Sequence, residues 1–115
     1  MDTPVRQIGN VRVVAPQGRV DQATAEALRL SLEPHLAACT ANAAPLILDF
    51  SGVPYISSVG LRVLMLAGRQ VTAQQGRLAI AALQPVVREV FQISRFDMVF
   101  KLYDSVDAAA AALAT

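Results

Sequence analysis

The sequence predicts an α/β domain built on a mostly parallel central β-sheet, with an antiparallel hairpin at its N-terminal end and about four helices. Short apolar runs alternate with longer segments in which apolar residues recur every three or four positions, as in parallel strands joined by helices. The first two apolar runs are separated only by Gly9-Asn10, a turn-forming pair that favours a hairpin. Neither a repeat nor a linker divides the 115 residues, so a single domain is expected over 1–115.

The first half of the chain is predicted to form the hairpin, a helix and a buried strand. The hairpin strands are expected at Val5–Ile8 and Val11–Val14, on either side of the turn. A helix follows from about Gln22, because apolar residues then recur at helical spacing, and Pro34 either kinks it or starts a second short turn. The nearly continuous apolar run 46–50 predicts a strand that is buried on both faces.

The second half begins with a strongly amphipathic helix after the loop 51–56. Its apolar residues share one face, and Gly76 is expected to end the helix in the left-handed conformation that glycine adopts at low cost. The remaining predicted elements are a strand over 78–82, a helix opened by Pro85, a strand over 98–102, and a last helix capped by Asp104 or Ser105.

Composition excludes several classes of protein. Apolar residues make up 54% of the chain, yet no uninterrupted apolar run approaches the ~18 residues of a membrane span, so no membrane insertion is expected. Ten Lys and Arg residues against nine Asp and Glu leave a formal net charge of +1, without the basic cluster that direct nucleic-acid binding needs. Cys39 alone forms no internal disulfide, and no signal peptide is visible, so a cytoplasmic protein is expected.

The segment 49–61 holds the most functional information, because it connects the carboxyl end of a strand to the start of a helix. Functional groups concentrate at this edge of open α/β sheets. The segment contains two adjacent serines, Ser57 and Ser58, where the helix is expected to begin. A serine there either caps the first turn through its hydroxyl, or carries a phosphate that the free N–H groups and the positive helix end stabilise.

Two motifs resemble those of a known family. They are Gly18-Arg19-Val20-Asp21 at the end of the second strand and Ser58-Val59-Gly60-Leu61 in its strand–loop–helix context. With these motifs, and with similarity over nearly the whole chain, the sequence resembles the STAS domain and, more narrowly, the bacterial anti-sigma-factor antagonists.

The resemblance implies a regulatory cycle. An unphosphorylated antagonist binds an anti-sigma factor that is also a serine kinase, and so frees a sigma factor; phosphorylation ends the binding and a serine phosphatase restores it. On this sequence the acceptor falls on Ser58, with Asp21 near it. Many relatives have Asp before the acceptor and Ser or Ala after it, where this chain has Ser57 and Val59. The alternatives to Ser58 are that Ser57, the second candidate, is the modified residue, or that the switch is silent.

The partner-binding surface is expected on the loop 52–58 and on the outward side of the following helix. The two arginines on that helix either contact the partner or are merely solvated. The residues assigned to this surface are Asp21, Gly52, Val53, Pro54, Tyr55, Ser57, Ser58, Arg62 and Arg69.

Other functions have less support in the sequence. The alternative is an accessory subunit of a membrane transport system or another phosphorylation-dependent adaptor, because STAS-like domains occur there too. An enzyme, a cofactor and a metal are not expected: His35 has no local His, Cys or carboxylate companion, and the sequence offers neither a phosphate-binding glycine loop nor a nucleophile–base pair. The sequence leaves the oligomeric state open, and a weak dimer is one of the alternatives.

Overall fold

The computed structural model describes residues 1–114 as four α-helices around one five-stranded sheet with strand order β1-β2-β3-β4-β5. The β1–β2 pair is antiparallel and the other three pairs are parallel, so the predicted fold class is confirmed. The strands are β1 (Val5–Ile8), β2 (Val11–Val14), β3 (Leu46–Asp49), β4 (Leu78–Ala81) and β5 (Lys101–Tyr103). The helices are α1 (Ala25–Ala37), α2 (Ser58–Ala73), α3 (Pro85–Ile93) and α4 (Val106–Leu113), with a 3₁₀ turn at Phe96–Met98.

The sheet separates two apolar layers. On one face, α1, α2 and α3 pack against alternate strand residues such as Val14, Leu48 and Ile80. On the other face, the alanine-rich α4 covers residues such as Val13 and Ile47. Because helices cover both faces, all four residues of β3 are buried, as the apolar run predicted.

The first helix begins at Ala25, later than the expected start near Gln22. The carboxylate of Asp21 accepts hydrogen bonds from the backbone N–H groups of Ala23 (2.9 Å) and Thr24 (3.2 Å), which holds this stretch as a turn. The helix then continues through Pro34 as one element, so no second helix starts there. The hydrogen bonds of the Asp21 side chain therefore explain why α1 starts at Ala25 and not near Gln22.

The prediction of a strand over 98–102 is wrong in its first half. The N–H groups of Met98 and Phe100 bond to the carbonyls of Arg95 (3.1 Å) and Phe96 (2.9 Å), so the backbone is helical before β5 begins. This turn brings the Phe96 and Phe100 rings to 5.8 Å between centroids. In so short a run, the spacing of apolar residues does not distinguish a helical turn from a strand, so the sequence pattern did not reveal the 3₁₀ turn.

The predicted left-handed cap at Gly76 is also wrong, because Gln75 adopts positive φ (61°) instead. Gly76 is required for another reason: a Cβ at this position would lie 2.3 Å from the Cys39 carbonyl oxygen. The glycine permits close approach of two backbone segments.

Candidate functional site

The loop between β3 and α2 is held against the segment that precedes α1. The N–H of Gly18 donates to the Gly52 carbonyl (2.9 Å), and Val20 forms a parallel bridge with Ile56. The N–H of Ser57 donates to the Val20 carbonyl at 2.8 Å. The backbone of Asp21 therefore lies beside the serine pair, although Asp21 and Ser57 are 36 positions apart in sequence.

The two serines have different environments. Ser57 is the N-cap of α2: it is half-buried, its backbone is extended, and its hydroxyl accepts a hydrogen bond from the Gly60 N–H at 3.3 Å. Ser58 is the first helical residue and is exposed. Its hydroxyl has no hydrogen-bond partner within residues 1–114. One serine is thus occupied in capping, while its neighbour presents a free hydroxyl at the positive end of a helix.

Gly60 determines how closely α2 approaches the loop. A Cβ there would lie 2.6 Å from Val20 Cγ1 and 2.8 Å from Ile56 Cγ1, both of which belong to buried side chains. Val20 and Ile56 also form the bridge that holds the loop. Because Gly60 has no side chain, the start of α2 can pack directly against this bridge. The glycine of the Ser58-Val59-Gly60-Leu61 motif is therefore a packing requirement.

Asp21 is engaged in local structure. Besides the two backbone N–H groups, the Thr24 hydroxyl bonds to its carboxylate at 3.2 Å and Arg19 Nε lies 3.2 Å away. Partial desolvation raises the pKa of Asp21, but the hydrogen bonds from Thr24, Ala23 and Arg19 outweigh it, so the pKa falls below its ordinary value. These contacts give Asp21 a structural role at the start of α1.

Arg19 links this turn to the loop. Its guanidinium carbon lies 4.0 Å from the ring centroid of Tyr55, a cation–π arrangement. The sequence showed Arg19 only as a member of a motif, and nothing in its spacing indicated a ring contact. The Gln17 amide similarly fills the space over Gly52, where a Cβ would lie 2.4 Å from its Oε1.

The structure revises the expected partner-binding surface. Pro54 is exposed and Tyr55 is half-buried, but Val53 is completely buried in the core and offers no contact to a partner. The expectation for Val53 failed because the chain turns inward there, with the Val53 N–H bonded to the Phe50 carbonyl at 3.0 Å. The half-buried Gly52 presents only backbone.

The outward side of α2 combines charge with apolar surface. Arg62 and Arg69 are exposed and form no ion pair within residues 1–114. Val59 and Leu66 remain 43% and 48% exposed on the same helix. Sequence reasoning missed these two, because an apolar residue on an amphipathic helix is normally assigned to the buried face.

Burial shifts the pKa values of Cys39 and His35, two other residues considered from the sequence. Cys39 is buried at the end of α1, and burial raises the pKa of its thiol. Burial, followed by the nearby Arg12 charge, lowers the pKa of His35. In the part of the chain that the structure describes, no cluster of three metal-ligating side chains occurs. Likewise, no helix within residues 1–114 has the length and apolar character needed to cross a membrane.

The fold and the loop–helix junction together define the class of this protein, a STAS-type α/β domain. The chain belongs to the STAS domain family, whose model matches residues 2–109. The resemblance found in the two sequence motifs is therefore confirmed.

Three individual proteins show what the chain is similar to within this family and fold. The chain is 38% identical over 115 residues to a Bordetella bronchiseptica protein named "Putative anti-sigma factor antagonist BtrV", covering 100% of this chain and 97% of the relative. The crystal structure of an anti-sigma factor antagonist from Mycobacterium paratuberculosis superposes with a TM-score of 0.86 at 28% identity, covering 99% of this chain and 94% of the other. The phosphorylated form of SpoIIAA from Bacillus (TM-score 0.67, 18% identity, 96% and 97% coverage) shares the fold.

Proposed function

We propose that this protein is an anti-sigma factor antagonist, which binds an anti-sigma factor with serine-kinase activity and loses that binding when Ser58 is phosphorylated. A serine phosphatase then restores the binding form. The observation that supports this most directly is the exposed hydroxyl of Ser58, which has no partner among residues 1–114, beside the capping hydroxyl of Ser57. A kinase needs an accessible hydroxyl, so Ser58 is the proposed acceptor and Ser57 the second choice.

The start of α2 suits a phosphoserine. A phosphate adds nearly two negative charges and three acceptor oxygens. At the first helical position it faces free N–H groups and the positive end of the helix dipole, which stabilise it by up to ~2 kcal/mol. Arg62 follows Ser58 by four residues, which puts its exposed guanidinium on the same side of the helix. The phosphorylated domain therefore keeps its fold.

The proposed partner surface comprises the exposed part of the 52–58 loop and the outward side of α2. Pro54, Val59 and Leu66 supply apolar area, while Arg62 and Arg69 supply charge that is not paired with any carboxylate in the described part of the chain. Arginines without internal partners and exposed apolar side chains are both common at protein interfaces. They favour a partner with acidic groups around an apolar patch.

Phosphorylation blocks such an interface electrostatically. A partner packed over Ser58 has to desolvate the phosphate dianion. A loss of only ~2.8 kcal/mol weakens binding about a hundredfold. The phosphate therefore weakens binding about a hundredfold or more without any rearrangement of the domain.

Affinity capture from the native lysate tests this function, with wild type, Ser58→Ala and Ser58→Asp as baits and mass spectrometry as readout. Wild type and Ser58→Ala are expected to retain a protein with a serine-kinase domain, and Ser58→Asp to retain much less. Incubating the purified chain with that protein and ATP should add one phosphate, which Ser58→Ala abolishes and Ser57→Ala preserves.

Ser57→Ala is the matched control, since it removes the neighbouring hydroxyl but leaves the proposed acceptor. Equal capture of the kinase by all three baits would contradict the switch while leaving the binding intact. Capture of a permease or a transport ATPase would instead support the transport-system alternative.

A further inference from the structure

An open groove lies at the end of α2 away from the serine pair. It has a volume of about 640 Å³ and lies between the C-terminal half of α2 and the residues where β4 and β5 begin. Its walls are mostly apolar and include Met65, Leu78, Val99 and Phe100. Gly68, the α2 residue that lines the groove next to Arg69, follows Ser58 by ten residues, or about 15 Å along the helix. The groove is therefore separate from the proposed phosphorylation site.

The floor of the groove is fixed by aromatic packing. A Cβ on Gly68 would lie 2.9 Å from Phe100 Cε1, so the ring packs directly on the α2 backbone. Phe100 in turn contacts Phe96 at 5.8 Å between centroids, and Phe96 contacts Phe91 at the same distance. Since Phe91 is completely buried, these contacts anchor the floor in the core. The floor of the groove is therefore continuous with the hydrophobic core.

The charged residues around the groove are all cationic. Arg69, Arg77 and Lys101 line it, and no Asp or Glu does so among residues 1–114. Arg69 and Lys101 are exposed and form no ion pair in the described chain. Val99, which also lines the groove, is 64% exposed. The groove thus combines an apolar floor with cations at its edge.

We propose that this groove binds a fatty carboxylate, a single apolar chain with one anionic head. The chain lies on Phe100 and Met65, and the carboxylate contacts Arg69 and Lys101. The volume is typical of a small-molecule site, and the guanidinium fork matches a carboxylate. A compact polar anion leaves the apolar walls uncovered, so inorganic phosphate is a poor occupant.

Titration of the purified chain with dodecanoate, below its critical micelle concentration, tests the proposal through amide chemical shifts. We expect saturable shifts at Gly68 and Lys101, little change at Ser58, and a Kd of about 1 mM or tighter, from the usual binding energy per ligand atom. Dodecyltrimethylammonium has the same tail with a cationic head and should bind at least roughly tenfold more weakly, because Arg69 and Lys101 repel it. Acetate, which lacks the tail, should produce no saturable shift.

Charge-removing variants provide the matched comparison. Arg69→Gln should weaken dodecanoate binding roughly fivefold, as for a partly solvated ion pair, and the double variant with Lys101→Gln by more. Arg62→Gln removes the same charge from the same helix outside the groove and should leave the affinity unchanged. Thr72→Trp, at an exposed position lining the groove, should abolish binding while the far-UV circular dichroism stays native.

Three results would overturn the proposal. The first is no saturable binding of dodecanoate, and the second is equal binding of the cationic detergent. The third is concentration-dependent self-association that Thr72→Trp abolishes, which would assign the groove to a second copy of the chain. All measurements use the chain alone, so they are independent of whether an anti-sigma factor binds it.

Discussion

The two adjacent serines should differ in their contribution to stability. Ser57→Ala removes the hydroxyl that accepts the Gly60 N–H at 3.3 Å, and leaves that donor without its cap. Loss of an N-cap costs about 1 kcal/mol of unfolding free energy. For a domain of this size that corresponds to a fall in Tm of about 4 °C. Ser58→Ala removes an exposed hydroxyl with no partner among residues 1–114, so its effect should stay within about 0.5 kcal/mol.

Urea denaturation followed by circular dichroism measures both variants, and an unchanged m-value shows that the transitions are comparable. Ser105→Ala is the matched control, because Ser105 caps α4 by accepting the Ala108 N–H at 3.0 Å. It should also cost about 1 kcal/mol. A Ser58→Ala variant as destabilised as Ser57→Ala would refute the assignment of capping to Ser57, and so would a neutral Ser57→Ala beside a destabilising Ser105→Ala.

Three further predictions concern the surroundings of the serine pair and the core. Gly60→Ala should lower the unfolding free energy by about 1 to 2 kcal/mol in urea denaturation, because overpacking against Val20 and Ile56 exceeds the gain in helix propensity; an unchanged midpoint would show that the contact relaxes. The lowered pKa of Asp21 gives a stabilisation that is present above the ordinary value of 3.8 and is lost as pH falls through the folded-state value, so Asp21→Asn should reduce the fall in Tm on acidification below about pH 5; identical Tm–pH curves would contradict this. Cys39 should react with a thiol-specific disulfide reagent far more slowly in the native protein than in urea, because it is buried and its thiol pKa is raised; equal rates would indicate that the end of α1 opens readily.

The sequence was sufficient to predict the fold because the elements follow periodic apolar patterns. The hairpin strands Val5–Ile8 and Val11–Val14 occur at the predicted residues, and the glycine turn between them contains a positive φ at Gly9 (59°). The errors occur where contacts distant in sequence decide the local conformation. Gly76 is required by the Cys39 carbonyl, and no pattern near residue 76 records that contact.

The candidate site was predictable in position but not in detail. The strand–loop–helix context located Ser57 and Ser58. Which of the two serines caps the helix depends on where the helical backbone begins, and the local sequence is compatible with either one. Val53 was assigned to the surface, because local sequence does not reveal in which direction a loop side chain points. The exposure of Leu66 depends likewise on which face of α2 the neighbouring helix leaves uncovered.

The contacts at the loop–helix junction bear on how the proposed phosphorylation of Ser58 would act. The bridge of Val20 to Ile56, the bond from Ser57 to the Val20 carbonyl, and the close packing at Gly60 all hold the start of α2 without using the Ser58 hydroxyl. A phosphate added to that hydroxyl therefore breaks none of these contacts, and the helix end partly neutralises its charge. On the proposed function the free-energy cost falls on binding, because a partner packed over Ser58 would have to desolvate the new charge. A switch of this kind needs a stable helix start, and the separate cap on Ser57 provides it.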